Sequence, residues 1–169
     1  MTVLLKEKET VAKQRTAKEE IRTVCFVCTG NTCRSPMAEA VANALAVKSG
    51  KSLRAFSAGI YAVSGDPIAK NAVLALENAE IKPLPDRDYH THTAHTLCTE
   101  EAERYDLLVG LTDRHAMELL LRFPALAEKI TCMTPSVPDP YGGDLKCYEQ
   151  CLESITEVVK KLLFSELGT

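Results

Sequence analysis

The sequence predicts an α/β fold of three layers, in which a four-stranded parallel sheet lies between helices on both faces. Three observations carry this. Short apolar runs alternate with longer amphipathic ones in the order β-α-β-α-(α)-β-α-β-α, the pattern of a parallel sheet with crossover helices. Cap residues followed by proline, or a closing glycine, mark the helix ends. No internal repeat and no low-complexity linker interrupts the series, so the alternating segments belong to one unit.

Residues 1–21 alternate Lys, Glu, Arg and Thr with few apolar side chains. They read as a polar N-terminal extension, either a solvated helix or a disordered tail, ahead of a folded domain over 22–169. Arg22 to Val27 is a short buried strand. Ser35 as cap and Pro36 in the first turn start a helix to Ser49, and Gly50 stops it. Leu53 to Ser57 is the second strand. Asp66-Pro67 repeats the cap-and-proline signal before a helix from Ile68 to Ala79. Pro83 and Pro85 break the pattern ahead of a polar loop, His90 to Thr96. Thr99 starts a short helix, and Tyr105 to Leu111 is the third strand. Thr112 or Asp113 caps a helix to Arg122, with Pro124 shortly after. Lys129 to Met133 is the fourth strand. The loop from Thr134 to Gly143 carries three prolines and two glycines. The closing helix spans Asp144 to Phe164, with Leu145, Tyr148, Leu152, Ile155, Val159 and Leu162 on one face.

At 169 residues the chain is long enough to bury a real core. Apolar residues make up 46% and charged residues 25%, an ordinary balance for a globular chain. The formal net charge of -3 gives no general attraction to nucleic acid or an anionic membrane, so neither is expected as a partner. No apolar run approaches the roughly 20 residues of a membrane span. Val3-Leu4-Leu5 is too short for the apolar region of a signal peptide. A cytoplasmic location is expected. Seven cysteines at irregular spacing fit free thiols, not a disulfide framework.

The chemistry is concentrated in Cys28-Thr29-Gly30-Asn31-Thr32-Cys33-Arg34-Ser35-Pro36, directly after the apolar run Val24 to Val27. A thiol, a glycine-containing turn, a guanidinium and a helix start are the parts that hold a phosphate-like dianion beside a nucleophile. A helix N-terminus and a cation favour thiolate over thiol. The Ser35 hydroxyl can donate to it, and the planar fork of Arg34 suits phosphate bidentately. Gly30 and Asn31 tolerate positive φ, which helps backbone N–H groups turn inward as an anion nest. Any Cys-x5-Arg occurs by chance; placement between a strand and a proline-started helix sets this one apart. The fold therefore includes a phosphate-binding loop after its first strand, at the sheet edge where ligands bind.

A thiophosphate intermediate needs an acid for the leaving group and later a base for water. Asp139, in Pro138-Asp139-Pro140-Tyr141-Gly142-Gly143, sits on a proline-stiffened loop after the last strand, at that same edge. The competing reading is a simple turn aspartate, which Asp66-Pro67 carries more strongly. Other clusters give less. Cys25-x2-Cys28 fits a redox spelling, but Cys25 lies inside the strand run. Cys147-x3-Cys151 has no histidine near it, and His90, His92 and His95 read as a solvated loop, so no metal is expected.

CTGNTCRSPMAEA, FSAGI and DPYGG, in that order, resemble the low-molecular-weight protein tyrosine phosphatase family over most of residues 22–164. The resemblance implies the four-stranded parallel sheet, no metal, no cofactor, and a phosphorylated protein as substrate. It implies that Cys28 is the nucleophile, Arg34 the phosphate clamp, Ser35 the thiolate donor and Asp139 the general acid. The loop residues Thr29, Gly30, Asn31, Thr32 and Cys33 would surround the phosphate. Asn31 would be a left-handed loop residue held by Ser57 and His92, with no such role for His90 or His95. Cys33 would be the thiol that bridges to the nucleophile under oxidation and protects it.

Two positions bear on the substrate. Tyrosine-directed members usually carry a branched aliphatic residue where Thr32 stands, and often two aromatics after Asp-Pro. Here Tyr141 is followed by Gly142-Gly143. Both features resemble the bacterial protein arginine phosphatase branch, so the resemblance favours phosphoarginine, with protein tyrosine phosphatase as the alternative. A thioredoxin-coupled arsenate reductase shares the fold but needs two relay cysteines. Cys98 is placed for one; the next, Cys132, is too distant in sequence for the other.

Overall fold

A computed structural model describes residues 20–165; the expected polar extension over 1–21 lies outside them except for its last two residues. Four strands form one parallel sheet: β1 (Thr23–Cys28), β2 (Arg54–Gly59), β3 (Leu107–Gly110) and β4 (Ile130–Cys132), in the order β2-β1-β3-β4. The helices are α1 (Arg34–Ser49), α2 (Lys70–Asn78), α3 (Thr99–Arg104), α4 (Asp113–Arg122) and α5 (Leu145–Leu163). Two 3-10 turns, Tyr89–Thr91 and Pro124–Lys129, lie in the connections.

The alternation along β1 sorts the layers. Val24, Phe26 and Cys28 face a core with Met37 and Val41 of α1, Leu76 of α2 and Ile155 of α5. Cys25 and Val27 face the other way, onto Ala102 of α3 and Leu119 of α4. Successive strand side chains point to opposite faces, so a central parallel strand is apolar throughout. β1 is: all of Val24 to Cys28 is buried. On α5 the expected stripe is present but wider, since Cys151, Val158 and Leu163 are buried too.

Register brings the working ends together. Cys28 pairs with Gly59, and Val27 with Gly110. The chain crosses from β1 to β2 on one side and reaches β3 on the other, so the carboxyl end of β1 is the switch point where such sheets bind ligands.

Two helix starts differ from their local signals. Ser35 is not the cap of α1. Cys33 occupies that position without a side-chain bond, and Ser35 is turned inward to other partners. Nor does Asp66-Pro67 start α2, whose cap is Ala69. The segment before it is extended instead, bonded to the loop at 93–96 through Gly65 N–H to Ala94 O and Ala94 N–H to Asp66 O, with Pro67 bridged to Thr93. Tertiary pairing overrides the capping signal there. The other caps agree with expectation: Thr112 accepts from His115 N–H, Asp144 accepts from Cys147 N–H, and Gly50 closes α1 at φ 69°.

Candidate active site

The loop between β1 and α1 is held by Asn31. This residue has φ 56°, the left-handed region that asparagine tolerates better than most, and it is fully buried. Its side-chain amide donates to Ser35 Oγ at 2.9 Å and to Ser57 Oγ at 3.1 Å. Its Oδ1 accepts from His95 N–H at 3.2 Å, and its carbonyl accepts from His92 Nε2 at 2.8 Å. A buried polar group left unpaired costs about 1–3 kcal/mol; here the side-chain amide and the carbonyl are matched. Ser57 and His92 therefore meet Asn31, and His95 contributes its backbone. The side chain of His95 pairs with Glu101, and His90 pairs with Asp88 and Glu77. Gly30 has no positive φ, so Asn31 alone makes the turn.

The end of β2 closes on this loop. Ile60 and Tyr61 donate backbone bonds to Cys28 O and Thr29 O at 2.9 and 3.0 Å. A Cβ on Gly59 would sit 2.7 Å from Thr29 O, so the approach requires glycine.

Ser35 Oγ lies 3.0 Å from Cys28 Sγ. Because it accepts from Asn31, its own proton is free to donate to sulfur. Burial raises Cys33 above the usual thiol range, partly offset by a hydrogen bond to Tyr148, whose hydroxyl lies at 3.4 Å. Burial also pushes Cys151 up to about 12. These two neighbouring thiols stay protonated at neutral pH. The first turn of α1 has no side-chain cap, which leaves helix N–H groups available to an anion.

Arg34 is buried, and its Nη1 donates to Val137 O at 3.1 Å. Val137 is itself fixed by a bond from its N–H to Leu111 O. Asp139 follows on the same loop. Its Oδ1 accepts from Tyr141 N–H at 3.0 Å, and its Oδ2 is 3.7 Å from Arg34 Nη2. One oxygen of Asp139 thus serves the turn, and the other faces Arg34. Beyond it, a Cβ on Gly143 would sit 2.8 Å from Cys147 Cβ.

Cys28, Thr29, Gly30, Thr32, Cys33, Arg34, Asp139 and Tyr141 line one cavity of about 270 Å³, with Tyr61, Val63 and Asp66 on its rim. Sequence reasoning missed the rim residues, and it missed His115, which is buried behind Thr29. Cys98 and Cys132 do not line the cavity. A larger groove of about 440 Å³ between α2 and α5 carries Glu149, Glu153 and Glu157 and no nucleophile. Among the described residues no three His, Cys, Asp or Glu side chains are gathered as a metal site, and no helix is long and apolar enough to cross a membrane.

A family model described as low molecular weight phosphotyrosine protein phosphatase matches residues 23–169. The chain belongs to this family. A protein-arginine-phosphatase of Bacillus subtilis is 32% identical over 146 residues, covering 82% of this chain and 93% of that one. The solved structure of a YwlE mutant from the same organism superposes with a TM-score of 0.78 at 29% identity, covering 86% of this chain and 99% of that one. A low molecular weight protein tyrosine phosphatase from T. tengcongensis superposes with a TM-score of 0.77 at 35% identity, covering 85% and 98%.

Proposed function

We propose that this cysteine-based protein phosphatase hydrolyses phosphoarginine in proteins, in two steps through a thiophosphate on Cys28. The observation that carries the mechanism is the single cavity shared by Cys28, Arg34 and Asp139. In the first step Cys28 Sγ attacks phosphorus. The P–S bond forms, the bond from phosphorus to the guanidine nitrogen breaks, and Asp139 gives its proton to that nitrogen. Arg34 and the loop N–H groups hold the phosphoryl oxygens as their charge grows. In the second step Asp139 takes a proton from water, the water oxygen attacks phosphorus, and sulfur leaves as thiolate while Ser35 donates to it.

Two features support phosphoarginine over phosphotyrosine. Thr32 lines the cavity, and its hydroxyl can accept from a guanidinium N–H or hold a water, which an aliphatic side chain cannot. Tyr141 is followed by two glycines, so the loop after Asp139 supplies one aromatic side chain, 80% exposed, where tyrosine-directed members often carry two; the other aromatic at the cavity, Tyr61, comes from the segment after β2. The arginine-phosphatase relative supports the same reading. A thiol nucleophile works in a reducing compartment, which supports action in the cytoplasm, and the net charge of -3 speaks against nucleic acid as partner.

The test is kcat/KM for phosphoarginine and phosphotyrosine on the same peptide. We expect the first to be larger, and Thr32→Ile to move the ratio toward phosphotyrosine on the order of tenfold. A wild-type preference for phosphotyrosine, or an unchanged ratio in the variant, would remove the substrate assignment.

A further inference from the structure

His115 is a histidine beside the cavity whose side chain bonds to the side chain of a lining residue, Thr29, and the mechanism above does not use it. It lies in the first turn of α4, 7% exposed. Its Nε2 is 3.0 Å from Thr29 Oγ1, and its Nδ1 is 3.0 Å from Thr112 Oγ1. Thr29 follows the nucleophile directly and lines the cavity. Thr112 caps α4 and accepts from His115 N–H at 3.2 Å. The three side chains form a chain of hydrogen bonds from the end of β3 to the mouth of the phosphate loop.

We propose that His115 is a positioning residue that turns the Thr29 hydroxyl into a hydrogen-bond donor aimed at the bound phosphoryl group. The proposal rests on the phosphatase reading of the cavity.

The proposal assigns the chain one direction. Burial, helped by the Arg34 guanidinium, pulls His115 down to about 4, so at neutral pH the ring has one donor and one acceptor. Thr112 Oγ1 accepts the His115 backbone N–H and still has its own proton to give. In the tautomer the proposal assigns, that proton goes to Nδ1, which makes Nδ1 the acceptor and leaves the ring proton on Nε2. Nε2–H then donates to Thr29 Oγ1. With that lone pair taken, the Thr29 proton is free to point away from His115, into the cavity. The opposite tautomer would draw the Thr29 proton back onto Nε2 and present only oxygen lone pairs to an anion. A fixed donor aimed at developing charge is the arrangement that stabilises a phosphoryl-transfer transition state.

The experiment uses the full chain with para-nitrophenyl phosphate for turnover and inorganic vanadate for binding. The variants are Thr29→Val, Thr29→Ser, His115→Leu, His115→Gln and the double variant Thr29→Val/His115→Leu. Thr29→Val and His115→Leu should each weaken vanadate binding and lower kcat/KM on the order of tenfold, as for one hydrogen bond to a charged group. The double variant should lose no more than either alone, since both break the same chain. Thr29→Ser keeps the hydroxyl and His115→Gln keeps an amide donor toward Thr29, so both should stay within about threefold of wild type.

Losses that multiply in the double variant would overturn the proposal. So would a loss in His115→Leu with none in Thr29→Val, because His115 would then serve packing alone. If His115→Leu does not fold, Thr29→Val against Thr29→Ser decides, and equal values overturn the proposal. A wild type that neither turns over para-nitrophenyl phosphate nor binds vanadate would instead sink the phosphatase reading. A wild type that does both, with Thr29→Val unaffected, removes only the role of His115.

Discussion

Two loops meet at the cavity. In the loop from Cys28 to Ser35, the central Asn31 is fully buried and engages four partners from three segments of the chain. In the loop from Val137 to Gly143, Val137 is anchored to Leu111, just past β3, and to Arg34, while Asp139 and Tyr141 are exposed. The first loop has its geometry set before any ligand arrives, which is what electrostatic stabilisation of a phosphoryl group requires. The second holds Asp139, the proposed proton donor, at the rim, where leaving groups of different shape would pass. The difference separates what the site does to phosphorus from what it accepts beside phosphorus.

Substitutions can break that comparison, and the largest effect belongs to the buried loop. Cys28→Ser should cost at least about a thousandfold in kcat while vanadate or phosphate still binds, measured by turnover and by calorimetry. Activity that survives would end the nucleophile assignment. Asn31→Ala removes the residue that holds φ 56° and leaves Ser35 Oγ, Ser57 Oγ and the His95 N–H without their side-chain partner. It should lower kcat/KM on the order of a hundredfold and stability by about 2–4 kcal/mol, read by turnover and by denaturant unfolding. A variant with normal activity would show that the cradle is not fixed in advance.

The exposed loop should respond more selectively. Asp139→Asn should slow hydrolysis by about a hundredfold for poor leaving groups and much less for good ones. Equal rates for wild type and variant on a poor leaving group would contradict Asp139 as the acid.

The smallest effect is a pH dependence of stability behind the buried loop. His115 titrates near 4 in the folded protein and near 6.5 when unfolded. Between those values the unfolded chain binds the extra proton, so stability falls as pH drops from about 6.5 to about 4 and is level below that. The raised values of His90 and His95 act in the opposite sense. Comparison with His115→Gln cancels them: wild type should lose on the order of 3 kcal/mol relative to the variant across this window. Parallel stability curves would show that His115 is not held neutral.

The sequence made the buried loop legible because its parts are contiguous. Cys28, Arg34 and Ser35 lie within one strand–turn–helix joint, and Asp139 could be added because topology puts its loop at the same sheet edge. Ser57 and His92 came from resemblance, since nothing local marks their bonds to Asn31. His115 went unread for the same reason. Its partner Thr29 is 86 residues away, and a lone histidine in Asp113-Arg114-His115-Ala116 looks like any helical residue. The usable signal was the spacing Thr112-x-x-His115 at the end of the third strand, beside β1. Asp66-Pro67 misled for the converse reason: a strong local signal yielded to pairing with residues 93–96.

The tight seat of Gly143 has a consequence for divergence. Position 143 admits no side chain without displacing Cys147, and Gly142 sits at φ 77°, where a substitution is strained. Drift among the three residues after Pro140 is therefore channelled through position 141, and a lineage or a mutant library seeking new substrates has Tyr141 in this loop and Thr32, Tyr61 and Val63 elsewhere on the cavity as its open positions.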